Sequence, residues 1–268
     1  VAVVKESMDL VKNDIELVLR LMEISNRSKR YIEQNTWRSI RNAMLKQTQI
    51  IMSAEAKKNF MRILANPNRL PNLLRRLHEM NVLEKIIPAF RHARWLLQFN
   101  QYHKYTVDEH TLIAVEIIAG YQDDQTPVGQ AYREVQRKDL LHLAMLLHDV
   151  GKGYTGDHSE VGAELAEQTA DRLGLNSEET ETITFLVRQH LLMSTLAFRR
   201  DITDRQVIQQ LAQEVGSPQT LRMLFTLTCA DMAAVAPGGF NEWRRSLMTE
   251  LYYRVDSWFS DQQNPEQP

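Results

Sequence analysis

The residues best able to do chemistry are a histidine and an aspartate side by side. They are His148 and Asp149, at the end of Leu146-Leu147-His148-Asp149-Val150-Gly151-Lys152. Adjacent helical residues point about 100° apart. At a helix end both can still reach one cation, or the carboxylate can bridge two cations with one oxygen each. Imidazole nitrogen mixed with carboxylate oxygen suits Mn, Fe, Zn or Ni, with Mg at an oxygen-richer position. A lone His-Asp pair has a structural alternative, as a hydrogen-bonded core couple or a histidine favoured by the helix dipole. Asp231 shifts that balance. It follows the apolar run Leu224 to Ala230, and a carboxylate buried there is costly without a positive partner. A cation collected by His110, His148, Asp149 and Asp231 would supply one.

The elements that must position these side chains are helices. Gly (10) and Pro (8) make up 18 of 268 residues, well under the roughly 12% of average usage. A composition of 43% hydrophobic and 25% charged residues is that of a folded globular chain. One cysteine, Cys229, excludes an intrachain disulfide and a Cys-rich metal site, and fits a reducing, cytoplasmic setting. No run approaches the 18 or so apolar residues of a membrane span. The start at Val1, inside a helical pattern, reads as a cut from a longer chain.

The net charge of −2 conceals a split. Residues 1–95 hold 18 basic and 9 acidic residues, and 96–268 hold 14 and 25. The first part reads as a helical arm or platform. It comprises one amphipathic helix over 1–25 (Val4, Met8, Val11, Ile15, Val18 and Met22), then helices over about 35–50, Ala54 to Leu64, Pro71 to Met80, and a short one before Pro88. Residues 96–259 read as the chemical domain, and 260–268 as a polar linker.

Helix starts in the second part are well marked. Thr106 to Glu109 and Thr203 to Gln206 have capping-box form. Lys138-Asp139 precedes an apolar helix ending at His148. Asp157 opens a helix stopped by Gly174, Asn176 or Ser177 caps the next, and Ser217-Pro218 starts the helix carrying Asp231. A final helix is expected over about Phe240 to Phe259, and 121–137 is expected as a loop. No phosphate-binding Gly-rich loop or nucleophile elbow is present, and no basic recognition helix stands out, so nucleic acid is not the expected partner. His142 reads as packing, and His78 and His92 as solvated.

The order His110…His148-Asp149…Asp231 resembles the HD-domain superfamily of metal-dependent phosphohydrolases. The segments YHKYTVDEHTL (102–112), LLHDVGKGYTGDHSEVGAE (146–164), VRQHLLMSTLAFRRDITD (187–204) and LTCADMAAVAPGGFNEWRRSLMTELY (227–252) make the resemblance narrower. They are similar to the HD domain of bifunctional uridylyltransferase/uridylyl-removing enzymes, which modify the nitrogen-signalling PII protein. The likeness covers roughly 60–255. Val150-Gly151 departs from the Ile-Ala of that pattern.

The resemblance implies an all-α HD-domain helical bundle preceded by a helical arm. It implies one or two divalent ions, Mn2+ or Mg2+, with His110, His148, Asp149 and Asp231 as ligands and His158 and His190 serving a second ion. Asp149 would then bridge. Lys152 would stabilise charge on a phosphoryl group, although answering helix C-terminal carbonyls is its structural alternative. His103, Arg199 and Arg200 are candidate substrate contacts. The implied reaction removes UMP from a uridylylated tyrosine of a PII-type partner, with nucleotidyltransferase and ACT domains elsewhere in the same chain. Two other readings stay open. One is a stand-alone phosphohydrolase of free nucleotides (a dNTP or an alarmone), and the other is a non-catalytic helical regulatory domain.

Overall fold

The structure, a computed structural model, describes residues 1–97, 105–236, 238 and 240–263. Every regular element among them is helical. In chain order these are α1 (Met8–Asn13), α2 (Ile15–Arg27), α3 (Gln34–Met44), α4 (Ala54–Ala65), α5 (Leu70–Glu79), α6 (Leu83–Ile86), α7 (Phe90–Ala93) and α8 (Val107–Gly120). They continue as α9 (Pro127–Glu134), α10 (Lys138–Leu147), α11 (His158–Leu173), α12 (Ser177–Arg188), α13 (Leu192–Arg199), α14 (Arg205–Val215), α15 (Pro218–Val235) and α16 (Glu242–Gln263). Short 3-10 turns precede α1 and α5. No described helix is long and apolar enough to cross a membrane.

Several boundaries follow the local chemistry of the sequence. Asp157 accepts the amides of Ser159 and Glu160 at the start of α11, and Gly174 ends that helix at φ 76°, where a side chain would be strained. Asn176 and Glu179 form a reciprocal capping box on α12. Ser217 caps α15, with Pro218 at its first position.

Other expectations are corrected. The stripe over 1–25 is broken at Asp14, whose carboxylate caps α2 by accepting the Glu16 amide; a local polar bond outweighs the continuing apolar period. Thr106 is extended and precedes α8, but its side chain makes no cap bond, and Glu109 turns outward to Arg75 at 2.9 and 3.0 Å. In the second expected box the cap falls one residue later, on Asp204, while Thr203 bonds Asp201. The stretch 121–137 contains a helix, α9, opened by Pro127. Helix α16 continues to Gln263, past the point where a linker was expected.

The apolar core runs from Ile15 to Val255 without a break at residue 95. Helix α2 packs on α4, α4 on α10, α5 on α8, and α8 and α9 on α15, while α11 and α12 pair and α12 closes on α10. Helix α10 lies at the centre, with every residue from Leu140 to Leu147 buried. Full burial of each leucine contributes about 1.5–3 kcal/mol, so its apolar side chains fix the register of α10. The polar pair that follows its last turn therefore has no freedom to rotate outward.

His142, in the middle of α10, is wholly buried. Its Nδ1–H donates to the Leu64 carbonyl of α4 at 2.6 Å, and its Nε2 accepts from the Tyr132 hydroxyl of α9 at 3.1 Å. It is a neutral packing residue that joins the basic and acidic halves of the chain.

Candidate metal centre

Five elements deliver the site. His110 comes from the first turn of α8, His148 caps α10, and Asp149 sits in the turn beyond it. His158 is the first residue of α11, His190 follows α12, and Asp231 lies in the last third of α15. All but His158 are buried.

His110 Nε2 lies 3.0 Å from Asp231 Oδ1, 3.3 Å from His148 Nε2 and 3.5 Å from Asp149 Oδ2. His148 Nε2 lies 3.3 Å from Asp149 Oδ2 and 3.4 Å from Asp231 Oδ1. The other oxygen of Asp149, Oδ1, faces His190 Nε2 at 3.8 Å. The ligand atoms thus fall into two groups, each within 4.8 Å. One is His110, His148, Asp149 and Asp231, the other is Asp149, His158 and His190, and Asp149 belongs to both.

The tautomers suit a cation. His148 Nδ1 lies 2.8 Å from the Met145 carbonyl and His190 Nδ1 lies 2.7 Å from the Val187 carbonyl. A carbonyl only accepts, so both Nδ1 atoms carry hydrogen and both Nε2 atoms face the carboxylates. A backbone carbonyl on the far nitrogen is the usual support of a metal-ligating histidine. The Thr228 hydroxyl bonds the His190 carbonyl at 3.0 Å, tying that histidine to α15 one turn before Asp231.

The electrostatics show what the carboxylates need. Burial pushes the His148 imidazole down, but Asp149 and Asp231 beside it outweigh that and raise its pKa to about 10. Burial would raise both aspartates, yet the neighbouring imidazoles, with Lys152 at Asp149, hold them well below the carboxylate range. Burial takes His190 down to about 4 despite Asp149, so its lone pair is available at neutral pH. Two buried carboxylates are thus balanced by a proton on His148 and by the Lys152 ammonium, 2.6 Å from Asp149 Oδ2. A divalent cation would take over that role and release the His148 proton. The donor set fits such an ion.

Gly151 brings the second group together. A Cβ there would fall 2.1 Å from the His158 carbonyl oxygen and 2.6 Å from the Gly162 amide. The departure Val150-Gly151 therefore lets the turn after Asp149 press against α11.

Residues 107–222 match the HD domain family. The chain contains an HD domain. The match begins at the first residue of α8 and includes His110, His148, Asp149, His158 and His190, while Asp231 lies beyond its end. Curated relatives of this HD domain bear the name bifunctional uridylyltransferase/uridylyl-removing enzyme. That of Azospirillum brasilense is 39% identical over 249 residues, which is 91% of this chain and 27% of the relative. That of Gluconobacter oxydans is 42% identical over 211 residues, 75% of this chain and 22% of the relative. That of Rhodopseudomonas palustris is 35% identical over 255 residues, 92% and 27%. The HD-domain chain thus spans about a quarter of the length of these relatives.

The remaining candidates are placed differently. His103 lies outside the described residues. Arg199 ends α13 and Arg200 follows, both exposed; neither side chain pairs with a residue of the cluster. His92 is exposed, as expected, and its ring lies 4.1 Å from that of Tyr154.

His78 is a correction. It is not solvated but lies between Glu84 and Asp108, with Nδ1 2.5 Å from Glu84 Oε1 and Nε2 3.2 Å from Asp108 Oδ2. Burial lowers its pKa, and the two carboxylates more than reverse that. The acids that partner it come from other helices, so no sequence spacing revealed them. The only local signal was Asp108-Glu109 immediately before His110.

Proposed function

We propose that this HD domain is a divalent-metal-dependent phosphodiesterase that releases UMP from a uridylylated tyrosine of a PII-type signalling protein. The observation that carries the reading is Asp149, shared by two ligand groups in a chain whose relatives are named uridylyl-removing enzymes. His110, His148, Asp149 and Asp231 would hold one ion, and Asp149, His158 and His190 a second; Mn2+ and Mg2+ are the favoured ions. Bound there, the metal supplies Lewis-acid charge and brings the pKa of water from 15.7 towards about 7.

The chain's own residues do the rest. His148 and His190 keep their Nε2 atoms inward because their Nδ1 hydrogens are held by backbone carbonyls. Asp149 is fixed between them, and the apolar wall of α10 limits water behind it. Lys152 is partly exposed and its ammonium touches Asp149, within reach of a phosphoryl oxygen that gathers negative charge. A tyrosinate leaving group, with a conjugate acid of pKa about 10, departs without a strong proton donor, which suits a site built of carboxylates and imidazoles.

The same proposal makes residues 1–95 a helical platform and 96–259 the hydrolase unit. It places both in a cytoplasmic protein with nucleotidyltransferase and ACT domains, without nucleic-acid or membrane partners. The test is UMP release from uridylylated PII protein, measured beside hydrolysis of dNTPs and an alarmone, with chelator and Asp149→Ala as controls. The reading expects chelator-sensitive UMP release that Asp149→Ala abolishes. Turnover of free nucleotides alone would overturn the substrate. Protein that carries no divalent metal and hydrolyses none of these substrates would leave a non-catalytic domain.

A further inference from the structure

The His78 network lies immediately beside the proposed metal centre, and its connections run to one place. Asp108 is buried and stands two residues before His110. Its Oδ1 accepts the Glu109 amide at 3.0 Å, and its Oδ2 accepts the Trp95 amide at 3.2 Å and the His78 Nε2–H at 3.2 Å. His78 is held from behind by Glu84, whose Oε1 also takes Arg94 at 2.5 Å. Arg94 returns a bond to the His78 carbonyl at 3.0 Å. Both ring nitrogens of His78 thus face carboxylates, which requires hydrogen on each. Two buried carboxylates, one half-buried imidazolium and one half-buried guanidinium make a neutral quartet.

Three residues before His78 on α5, Arg75 lies on the same helix face and grips Glu109 at 2.9 Å and Glu116 at 3.6 Å. The two acids preceding His110 are therefore each held by a basic residue of α5. Asp108 is held inside the protein and Glu109 at its surface. The His110 amide bonds the Thr106 carbonyl at 2.8 Å, so His110 belongs to the same turn. A shift of that turn moves its imidazole relative to His148 and Asp231, which come from other helices.

We infer that Asp108, clamped by His78 and Glu84, is a positioning residue that sets the His110 imidazole in the metal centre, and that α5 to α7 act as the second half of the site. This rests on the proposed metal reading, since it concerns how one of those ligands is aimed. It assigns the basic half of the chain a function that its own residues do not suggest, because none of them ligates. Groups that hold a ligating histidine in place commonly change metal affinity by 10–100-fold when removed, and Asp108 acts on His110 through the Glu109 amide of the same turn.

The test compares Asp108→Asn, His78→Gln and the surface control Arg75→Gln in the full chain, with two measurements. Histidine ring signals are recorded by NMR in metal-free protein, with His110 assigned through His110→Gln. The clamp predicts that the His110 signals move in Asp108→Asn and His78→Gln while those of His142 stay. Mn2+ titration followed by electron paramagnetic resonance then reads affinity, with a loss on the order of 10–100-fold expected in both variants and less than about threefold in Arg75→Gln. If Asp108→Asn does not fold, His78→Gln decides, because its amide keeps a donor towards one carboxylate. Unmoved His110 signals in a folded variant, with melting temperature alone reduced, would show a merely structural network and overturn the inference. Wild-type protein that binds no Mn2+ would instead overturn the metal reading, and the NMR result would still judge the clamp.

Discussion

The Nε2 atoms of His110 and His148 face each other at 3.3 Å. Imidazole lone pairs repel at that distance unless positive charge lies between them, as a shared proton or a cation. Asp149 Oδ2 and Asp231 Oδ1 flank the pair at 3.0–3.5 Å. Four donors from three helices and one turn thus converge on a point that favours a cation. One histidine is aimed by a backbone carbonyl of its own helix, and the other sits in a turn held by α5.

Lys152 and a metal compete for one oxygen, because the ammonium lies 2.6 Å from Asp149 Oδ2. Lys152→Gln removes the competing charge. Mn2+ should then bind more tightly, by roughly 3–10-fold, while kcat falls about 10–100-fold through loss of charge stabilisation on the phosphoryl group. Calorimetric titration and steady-state hydrolysis read the two effects separately. Unchanged kcat would leave Lys152 only the role of partner to Asp149.

His158 tests the second ligand group. It is half-buried at the first position of α11, so His158→Ala should leave stability within about 0.5 kcal/mol. Metal content should fall from two ions to one per chain, with His110→Ala removing the other. Elemental analysis after desalting measures this directly. A single ion in wild-type protein would restrict the centre to His110, His148, Asp149 and Asp231.

His142 gives the acid limb of stability. Burial lowers its pKa from 6.5 to about 4, so between those values the unfolded chain binds a proton that the folded chain does not. The contribution is complete above pH 6.5 and is lost as pH falls towards 4, by up to about 3 kcal/mol. His142→Gln should lower stability at pH 7 and flatten this part of the profile relative to wild type. Denaturant unfolding of metal-free protein at stepped pH provides the comparison; parallel profiles would show that His142 is not the group responsible.

Asp231→Asn should weaken metal binding and also leave His110 and His148 with one fewer buried counter-charge. Hydrolysis should fall at least about 100-fold, and the His148 pKa should drop from its raised value of about 10. A pH titration of the His148 ring signal in metal-free protein follows that drop. An unshifted His148 would mean that Asp149 alone sustains it.

The sequence by itself determined a great deal here. Helix type followed from the scarcity of Gly and Pro, and the starts of α11, α12 and α15 from Asp157, Asn176 and Ser217, whose side chains bond amides two or three residues away. The histidines and aspartates of the centre were legible because their motif order is carried in the chain. Local hydrogen bonds and motif order are sequence properties, and they need no neighbour. Tertiary structure decided what depends on groups far apart in sequence. It turned Glu109 from its expected cap to Arg75, and put His78 between two buried carboxylates instead of in water. It also joined the basic half to the acidic half, through His142 and Leu64, 78 residues apart, and through Arg75 of α5 and Glu109, 34 residues apart. A charge count cannot show such pairing, because a buried ion pair exists only where folding brings its members together and removes the water between them.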